Sequence, residues 1–160
     1  GDLQAFFILF FSVAHVNGYV LTLKPGMFEI IKEKKGYIKL EDLEVYKLAR
    51  GLSRLGWVIY SKMTWQNRKI IGDQFIESTD SIGANIAESY GRYHYLDRVR
   101  FLYNSRGSMF ESINHWLSLM LEIEIVTKEE FLEFKSVSDK LSLKLNNYIQ
   151  SIYNSKKDLK

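Results

Sequence analysis

The chain has 160 residues, of which 46% are apolar and 14% aromatic, so it can bury one sizeable core but is too short for two full domains. It contains no cysteine, which excludes a disulfide framework and a thiolate metal site and fits a reducing compartment, so we expect a cytoplasmic protein. The formal net charge of +3, from 22 Lys and Arg against 19 Asp and Glu, gives only weak support to nucleic-acid binding.

The first 39 residues do not share the pattern of the rest. The span from Leu3 to Leu23 carries no charged residue, and three interpretations of it stay open. It can be a signal peptide without a basic start, a short membrane span interrupted by polar residues, or a β-hairpin that turns at Asn17-Gly18. A fourth interpretation takes Met27 as the true start of the protein. We therefore assign residues 1–39 to an N-terminal extension of uncertain structure that ends in a charged linker.

The rest of the chain has the pattern of a helical domain. A single proline and ten glycines leave long stretches free of helix breakers. Apolar side chains recur at spacings of three and four in four segments, which span residues 41–63, 67–90, 94–123 and 127–153. Short connections make consecutive helices antiparallel, so we predict an all-α, antiparallel up-down four-helix bundle over residues 40–155, followed by a charged tail at 156–160.

Local signals define the ends and faces of these predicted helices. Gly91 is a natural stop for the second helix, and the fourth opens with a capping box in which Thr127 is the N-cap and Glu130 lies three residues on. The side chains predicted to face the core are Val45, Leu48, Leu52, Leu55 and Ile59; Ile71, Phe75, Ile82 and Ile86; Val99, Leu102, Met109, Ile113, Trp116 and Met120; and Phe131, Phe134, Leu141, Leu145, Tyr148 and Ile152.

Polar side chains follow the apolar stripes of the second and third predicted helices. In "SIGANIAESYGR", Ser81, Asn85 and Glu88 are spaced by four and three, so they lie on one side of a helix. Because the second and third helices are antiparallel neighbours, this line can meet a similar one on the third helix. We interpret the two lines as a hydrogen-bonded network that holds these helices or their subunit contacts together. Its predicted members are Gln74, Ser81, Asn85, Glu88, Ser108 and Glu111.

The sequence offers little for catalysis. It has no nucleophile elbow, no glycine-rich phosphate loop and no paired Glu-x-x-His motif of the kind used by di-iron bundles. Glu111 and His115 are four residues apart, but only Glu88 could support them on a metal. We therefore expect no enzymatic activity and no metal or cofactor.

Arginines cluster at the predicted junction of the second and third helices. Between Gly91 and Gly107 there is one acid, Asp97, and the basic residues alternate with aromatic ones, a composition that suits phosphate contacts and base stacking. The bland alternative is that Arg92 pairs with Glu88 one turn earlier and that the tyrosines fill the junction. The four arginines are Arg92, Arg98, Arg100 and Arg106.

These arginines cannot all face the same way, because Arg98 and Arg100 are two apart on a helix. We expect Arg92 and Arg98, with Lys69 nearby, to contact phosphate. Arg100 or Arg106 is then expected to pair with a carboxylate inside the bundle or in a neighbouring subunit.

The stretches "LEDLEVYKLARGLSRLGW", "KIIGDQFIESTDSIGANIAESYGRYHYLDRVRF" and "RGSMFES" resemble the four-helix-bundle proteins encoded in intervening sequences of bacterial 23S ribosomal RNA genes, over roughly residues 40–150. The resemblance implies a small non-enzymatic bundle that forms a homopentamer. It also implies a relation to the accessory variability proteins of diversity-generating retroelements, which partner a reverse transcriptase and bind nucleic acid. Glu77 stands where a basic residue is expected and Ser89 where glycine is more frequent, and the added acid weakens a nucleic-acid surface on the second helix.

Two function classes stay open at this point. One is an oligomeric module that binds RNA or DNA loosely or serves as accessory to a nucleic-acid enzyme. The other is a structural protein–protein adaptor. In either case Trp57, Trp65, Phe110 and Trp116 exceed what one thin bundle needs to fill its centre, so we expect a closed homo-oligomer, five-fold by resemblance.

Overall fold

Residues 13–16, 19–24, 27–32 and 38–157 are described by the computed structural model of the chain. The chain divides into two units, Gly1–Ile38 and Lys39–Lys160. The apolar run before residue 13, the central part of the charged linker and the last three residues of the charged tail lie outside the described residues.

The first unit contains a small antiparallel sheet. Its strands are β1 (Val13–Val16), β2 (Tyr19–Lys24) and β3 (Met27–Lys32), and they pair in the order β1-β2-β3. Val16 pairs with Tyr19, so β1 and β2 are adjacent in space across two residues of sequence. Of the interpretations left open for this segment, the pairing of β1 with β2 agrees with the β-hairpin, although Asn17 and Gly18 themselves lie outside the described residues.

The second unit is a bundle of four helices, and the prediction of an all-α helical bundle is confirmed. Helix α1 is Glu44–Lys62, preceded by a 3₁₀ turn at Leu40–Asp42, and α4 is Lys128–Lys157. Helix α2 covers residues 65–91 and α3 residues 95–122, and each contains a π-helical segment. These segments are Arg68–Gly72 in α2 and Glu111–Leu117 in α3.

Cross-helix contacts fix the direction of α4 relative to α1. Glu44 at the start of α1 pairs with Lys144 in the second half of α4, at 3.0 Å. Lys62 at the end of α1 pairs with Glu130 at the start of α4, at 2.6 Å. The two helices are therefore antiparallel, as an up-down arrangement requires.

The core contains most of the predicted side chains. Each helix contributes at least one side chain that is 0% exposed, for example Leu52, Phe75, Leu102 and Phe134. In α4, Phe131 and Tyr148 are only partly buried, and Ile149 is buried next to Tyr148. In α1 the buried line passes through Ala49 and Gly56, whereas Leu48 and Leu55 are only partly buried. A small residue in the buried line lets α2 approach α1 closely, because a Cβ built on Gly56 would lie 3.2 Å from both Ile76 and Thr79.

One core assignment in α3 differs from the structure. Leu117 is 0% exposed, whereas Trp116 is only half-buried. Trp116 and Leu117 follow Ile113 by three and four residues and precede Met120 by four and three, so both positions fit a helical stripe. The spacing alone therefore does not decide which of the two side chains points inward.

The predicted capping box opens α4. The Glu130 N–H donates to Thr127 Oγ1 at 3.2 Å, and the Thr127 N–H donates to Glu130 Oε2 at 3.0 Å. The Lys62 ammonium and then the Thr127 N–H hold the pKa of Glu130 below its usual value of 4.5. Glu130 therefore joins the N-terminal turn of α4 to the C-terminal end of α1.

Replacing Glu130 with alanine should lower the free energy of unfolding by about 1 kcal/mol at pH 7, as loss of a helix cap does. Because the pKa of Glu130 is lower in the folded state, its stabilisation is present above pH 4.5 and is lost as the pH falls through the folded-state value. Urea denaturation of the wild-type and Glu130→Ala proteins at decreasing pH should show that the difference in their free energies of unfolding becomes smaller. A Glu129→Ala control, in the same turn, should differ little from wild type, and a gap that does not depend on pH would contradict this role for the charge.

Candidate nucleic-acid interface

Arg92 is the first arginine of the junction and is neutralised inside its own chain. It is the C-cap residue of α2, and its side chain pairs with Glu88 one turn earlier. Its guanidinium also lies over the Phe101 ring, 4.9 Å from the centroid. The self-pairing alternative is therefore the one that the structure contains, so Arg92 is not a free cation for phosphate.

Arg98 does not face outward. It is half-buried, and its Nη2 donates to the Tyr148 hydroxyl on α4 at 2.9 Å. Its Nε is buried and lacks a hydrogen-bond partner within the described residues. The structure weighs against Arg92 and Arg98 as the phosphate-contacting pair, because one is paired with an acid and the other packs between α3 and α4, and their contact with phosphate stays a prediction.

Arg100 and Arg106 are the exposed arginines of α3. Neither forms an ion pair with a carboxylate in the part of the chain that the structure describes, and their expected pairing with a carboxylate of a neighbouring subunit stays a prediction. Arg106 instead lies over the Tyr103 ring, 4.8 Å from the centroid, and Tyr103 is 40% exposed. Arg100, Tyr103 and Arg106 are each three residues apart, so they are neighbours on the outer side of α3.

Lys69 lies far from the arginine cluster. It belongs to the π segment at the start of α2, and 23 residues of helix separate it from Arg92, about 34 Å along the axis. Its ammonium pairs with Asp73 at 2.8 Å, and this hydrogen bond raises the pKa of Lys69. Lys69, and then the Tyr60 hydroxyl, hold the pKa of Asp73 below its usual range. The predicted placement of Lys69 beside the arginines is therefore wrong.

The predicted polar network does not join α2 to α3 within one chain. Asn85 donates to the Ser81 carbonyl of its own helix at 2.8 Å, Glu88 binds Arg92, and Glu111 accepts the Trp116 indole N–H at 3.2 Å. Among the described residues, no side-chain hydrogen bond is formed by the remaining members, Gln74, Ser81 and Ser108. Their proposed part in subunit contacts stays a prediction.

Other hydroxyl groups connect these two helices. Thr79 Oγ1 and Ser112 Oγ lie 2.6 Å apart, and the Ser105 hydroxyl donates to the Ile82 carbonyl at 2.9 Å. Thr79, Ser105 and Ser112 are each 0% exposed. They occupy positions within the apolar stripes. A serine or threonine where the helical spacing calls for an aliphatic residue could therefore have indicated a buried hydrogen bond between the helices.

Charge is distributed unevenly along the bundle. Residues 38–155 contain 15 cations and 15 carboxylates, so the net charge of the chain comes from outside them. Gly83 packs against Ala49 and Gly51 faces Val137, which places these residues near the middle of the bundle. The half that holds the α2–α3 junction, residues 38–51, 83–107 and 138–155, has nine cations and six carboxylates, and the other half has six and nine.

Sequence reasoning overlooked the cations of α1. Arg50 and Arg54 are exposed and form no ion pair with a carboxylate in the described residues. The signal was present, since the sequence from Val45 to Gly72 contains six Lys and Arg and no Asp or Glu. It was missed because the arginine cluster after Gly91 also carries alternating aromatic residues.

Groups suited to metal binding do not gather in the described part of the chain, where no set of three or more His, Cys, Asp or Glu could hold an ion. His115 packs against Trp116, with ring centroids 4.4 Å apart, beside the Glu111 carboxylate that accepts the indole N–H. None of the helices within residues 38–157 combines the length and the apolar character that crossing a membrane requires.

Comparison with known proteins agrees with this architecture. The family model described as 23S rRNA-intervening sequence protein matches residues 41–147. The chain is also similar to a protein of unknown function from the S23 ribosomal protein family of Bacteroides thetaiotaomicron, whose crystal structure was determined at 1.70 Å resolution. The two are 21% identical over 66% of this chain and 95% of that chain, with a TM-score of 0.62, which shows a shared fold. No curated protein matches the chain at a significant level.

Proposed function

The chain belongs to the 23S rRNA-intervening sequence protein family, and on this basis we propose that it is a non-enzymatic bundle module that binds RNA or DNA loosely. It acts as a homo-oligomer, five-fold by resemblance, and as an accessory to a nucleic-acid enzyme such as a reverse transcriptase. The surface proposed to contact phosphate is the outer side of α3.

The observation that carries this proposal is a pair of arginines, beside an exposed tyrosine, that pair with no carboxylate among the described residues. Arg100 and Arg106 lie between Asp97 and Glu111, and no carboxylate occurs in that interval. Arginine presents several N–H donors in a planar fork that suits phosphate oxygens, and an aromatic ring next to it offers a surface for a base. Tyr103, under the Arg106 guanidinium, is in that position.

The proposed binding is loose for one chain and stronger for several. Residues 38–155 carry no net charge, so within them a polyanion is attracted by local groups of cations and not by the net charge. Each chain added to a homo-oligomer repeats Arg100 and Arg106, and linked copies bind with higher apparent affinity than one copy alone. A homo-oligomer therefore binds nucleic acid more strongly than the low net charge of one chain would allow.

The test is retention of single-stranded RNA on filters at about 50 and about 200 mM salt. With four phosphate contacts, affinity should fall by tens of fold over this range, because each contact releases condensed counterions. An Arg100→Ala/Arg106→Ala variant should bind about tenfold more weakly than wild type at the lower salt and show a shallower salt dependence.

The matched control removes the same charge from the other half of the bundle. Lys128 and Lys135 are exposed there, and Lys135 pairs with Asp139 on its own helix at 2.9 Å, so a Lys128→Ala/Lys135→Ala variant should bind nearly as wild type does. Equal losses in both double variants would show that only net charge matters. Absence of wild-type binding at the lower salt would overturn the proposal.

A protein–protein adaptor is the second candidate, and exposed apolar side chains favour it. Trp65 is 70% and Ile70 is 77% exposed, and both lie at the α1–α2 end of the bundle, away from the arginines. Exposed large apolar groups of this kind mark contact surfaces. Failure of RNA retention in the filter assay would leave this candidate as the better account of the fold.

A further inference from the structure

One line of side chains on the outer side of α1 combines an exposed indole with two cations that form no ion pair among the described residues. Arg50, Arg54 and Trp57 are spaced by four and three residues, so they lie on the same face of the helix. Both arginines are exposed, and Trp57 is 50% exposed. The line extends about 10 Å along the helix axis, from the first arginine to the tryptophan.

The Trp57 ring is held in place although half of it faces solvent. Its indole N–H donates to Asp80 Oδ2 at 3.0 Å, and Asp80 Oδ1 accepts the Ser53 hydroxyl at 2.5 Å. Tyr60 packs edge-on against the indole, with centroids 5.4 Å apart. An aromatic side chain fixed before binding loses little conformational freedom when a ligand covers it, which favours its use as a contact site.

The electrostatic surroundings favour an anionic ligand. The α1 sequence after Glu44 has no carboxylate, so the charges on this line are Arg50 and Arg54. Asp80 is the acid next to Trp57, and it approaches the nitrogen edge of the indole, where it accepts the N–H. Glu77, which is exposed on α2 three residues before Asp80, is a second acid on that side, so the positive charge of the line is concentrated at Arg50 and Arg54, away from the ring edge.

We propose that this face of α1 binds single-stranded nucleic acid, with a base stacked on Trp57 and neighbouring phosphates on Arg50 and Arg54. This inference rests on the proposed function and adds to it a second contact surface and a class of strand. Phosphate contacts alone would accept duplex and single strand alike. Stacking on Trp57 needs an unpaired base, because the bases of a duplex are already stacked on one another.

The direct test follows the fluorescence of Trp57. A Trp65→Phe/Trp116→Phe variant retains Trp57 as its one tryptophan. Saturating oligoadenylate should quench its emission, because a stacked base contacts the ring. The duplex of oligoadenylate with oligouridylate should leave the emission nearly unchanged at a concentration that also saturates binding.

An affinity measurement gives the second readout. Trp57→Ala should weaken binding of oligoadenylate about 5- to 150-fold, the loss expected for one base–aromatic stack, and should change duplex binding little. Trp57→Phe should recover most of the affinity, since it keeps a ring on a related rotamer. Trp65→Ala is the matched control, because it removes an indole that is 70% exposed but lies off this line.

Three results would overturn the inference. The first is unchanged emission of Trp57 at saturating oligoadenylate. The second is an equal loss of single-strand and duplex affinity in Trp57→Ala. The third is a Trp57→Ala variant that alters particle mass in light scattering while it keeps its affinity, which would assign the indole to a contact between copies of the chain. If wild type binds but depends only on Arg100 and Arg106, this inference fails while the proposed function stands. If wild type does not bind at all, both fail.

Discussion

Replacing Phe75 with alanine should lower the free energy of unfolding by about 3–5 kcal/mol, the range for removing a buried phenyl ring. Phe75 is 0% exposed, and its ring centroid lies 5.6 Å from that of Phe134 on α4. The substitution loses both the buried apolar surface and the contact that joins α2 to α4 across the core. For a domain whose total stability is about 5–15 kcal/mol, this is a large fraction.

Urea denaturation followed by circular dichroism measures this loss as a shift in the midpoint. Leu143→Ala is the matched control, because Leu143 lies on α4 but is 61% exposed, and its change should stay within about 0.5 kcal/mol. A Phe75→Ala protein that unfolds at the wild-type midpoint would show that this ring does not lie in the core.

Replacing Gly56 with leucine should cost about 1–3 kcal/mol through overpacking between α1 and α2. The first added carbon already lies 3.2 Å from the Ile76 and Thr79 side chains and 3.7 Å from the Phe75 ring. These neighbours belong to α2, so the rest of the leucine side chain can be accommodated only if the helices separate. Thr79 also contacts Ser112 on α3, and movement of Thr79 would disturb that contact.

Gly107 provides the control for Gly56 because it lies in a helix with open space around it. A Cβ built on Gly107 meets nothing within 4 Å in the described residues. Gly107→Leu should therefore stabilise the monomer by up to about 1 kcal/mol, since glycine is a poor helix former. Thermal melts of the two variants should shift in opposite directions, and a Gly56→Leu protein as stable as wild type would refute the close packing of α1 and α2. A smaller oligomer in Gly107→Leu would indicate that another subunit approaches this glycine.

Periodicity and local capping were sufficient to predict the fold. The capping box at Thr127 and Glu130 depends on residues three apart, so its geometry follows from the sequence alone. The inward position of Leu117 does not, because Trp116 and Leu117 both fit the helical spacing between Ile113 and Met120. Likewise, Ala49 and Gly56 replaced Leu48 and Leu55 in the buried line because close approach of α2 favours small side chains there.

The candidate site was predicted less well, because it depends on partners distant in sequence. The half-buried position of Arg98 requires Tyr148, which lies fifty residues later. Lys69 lies near the start of α2, whereas Arg92 follows the end of that helix, so the length of α2 separates them. The buried hydroxyls of Thr79 and Ser112 were overlooked because polarity was sought beside the apolar stripes and not within them.

The uneven charge along the bundle also governs how molecules of this protein behave towards one another. A basic half and an acidic half of equal size attract when two molecules meet end to end, so the protein should associate reversibly in dilute buffer even without a ligand. Salt screens such attraction beyond about 10 Å at 0.1 M ionic strength. The conditions that strengthen nucleic-acid binding therefore also promote clustering of the free protein. Turbidity and viscosity of the protein solution should therefore rise at low ionic strength. The net charge does not reveal this, because the opposite charges of the two halves cancel in the sum.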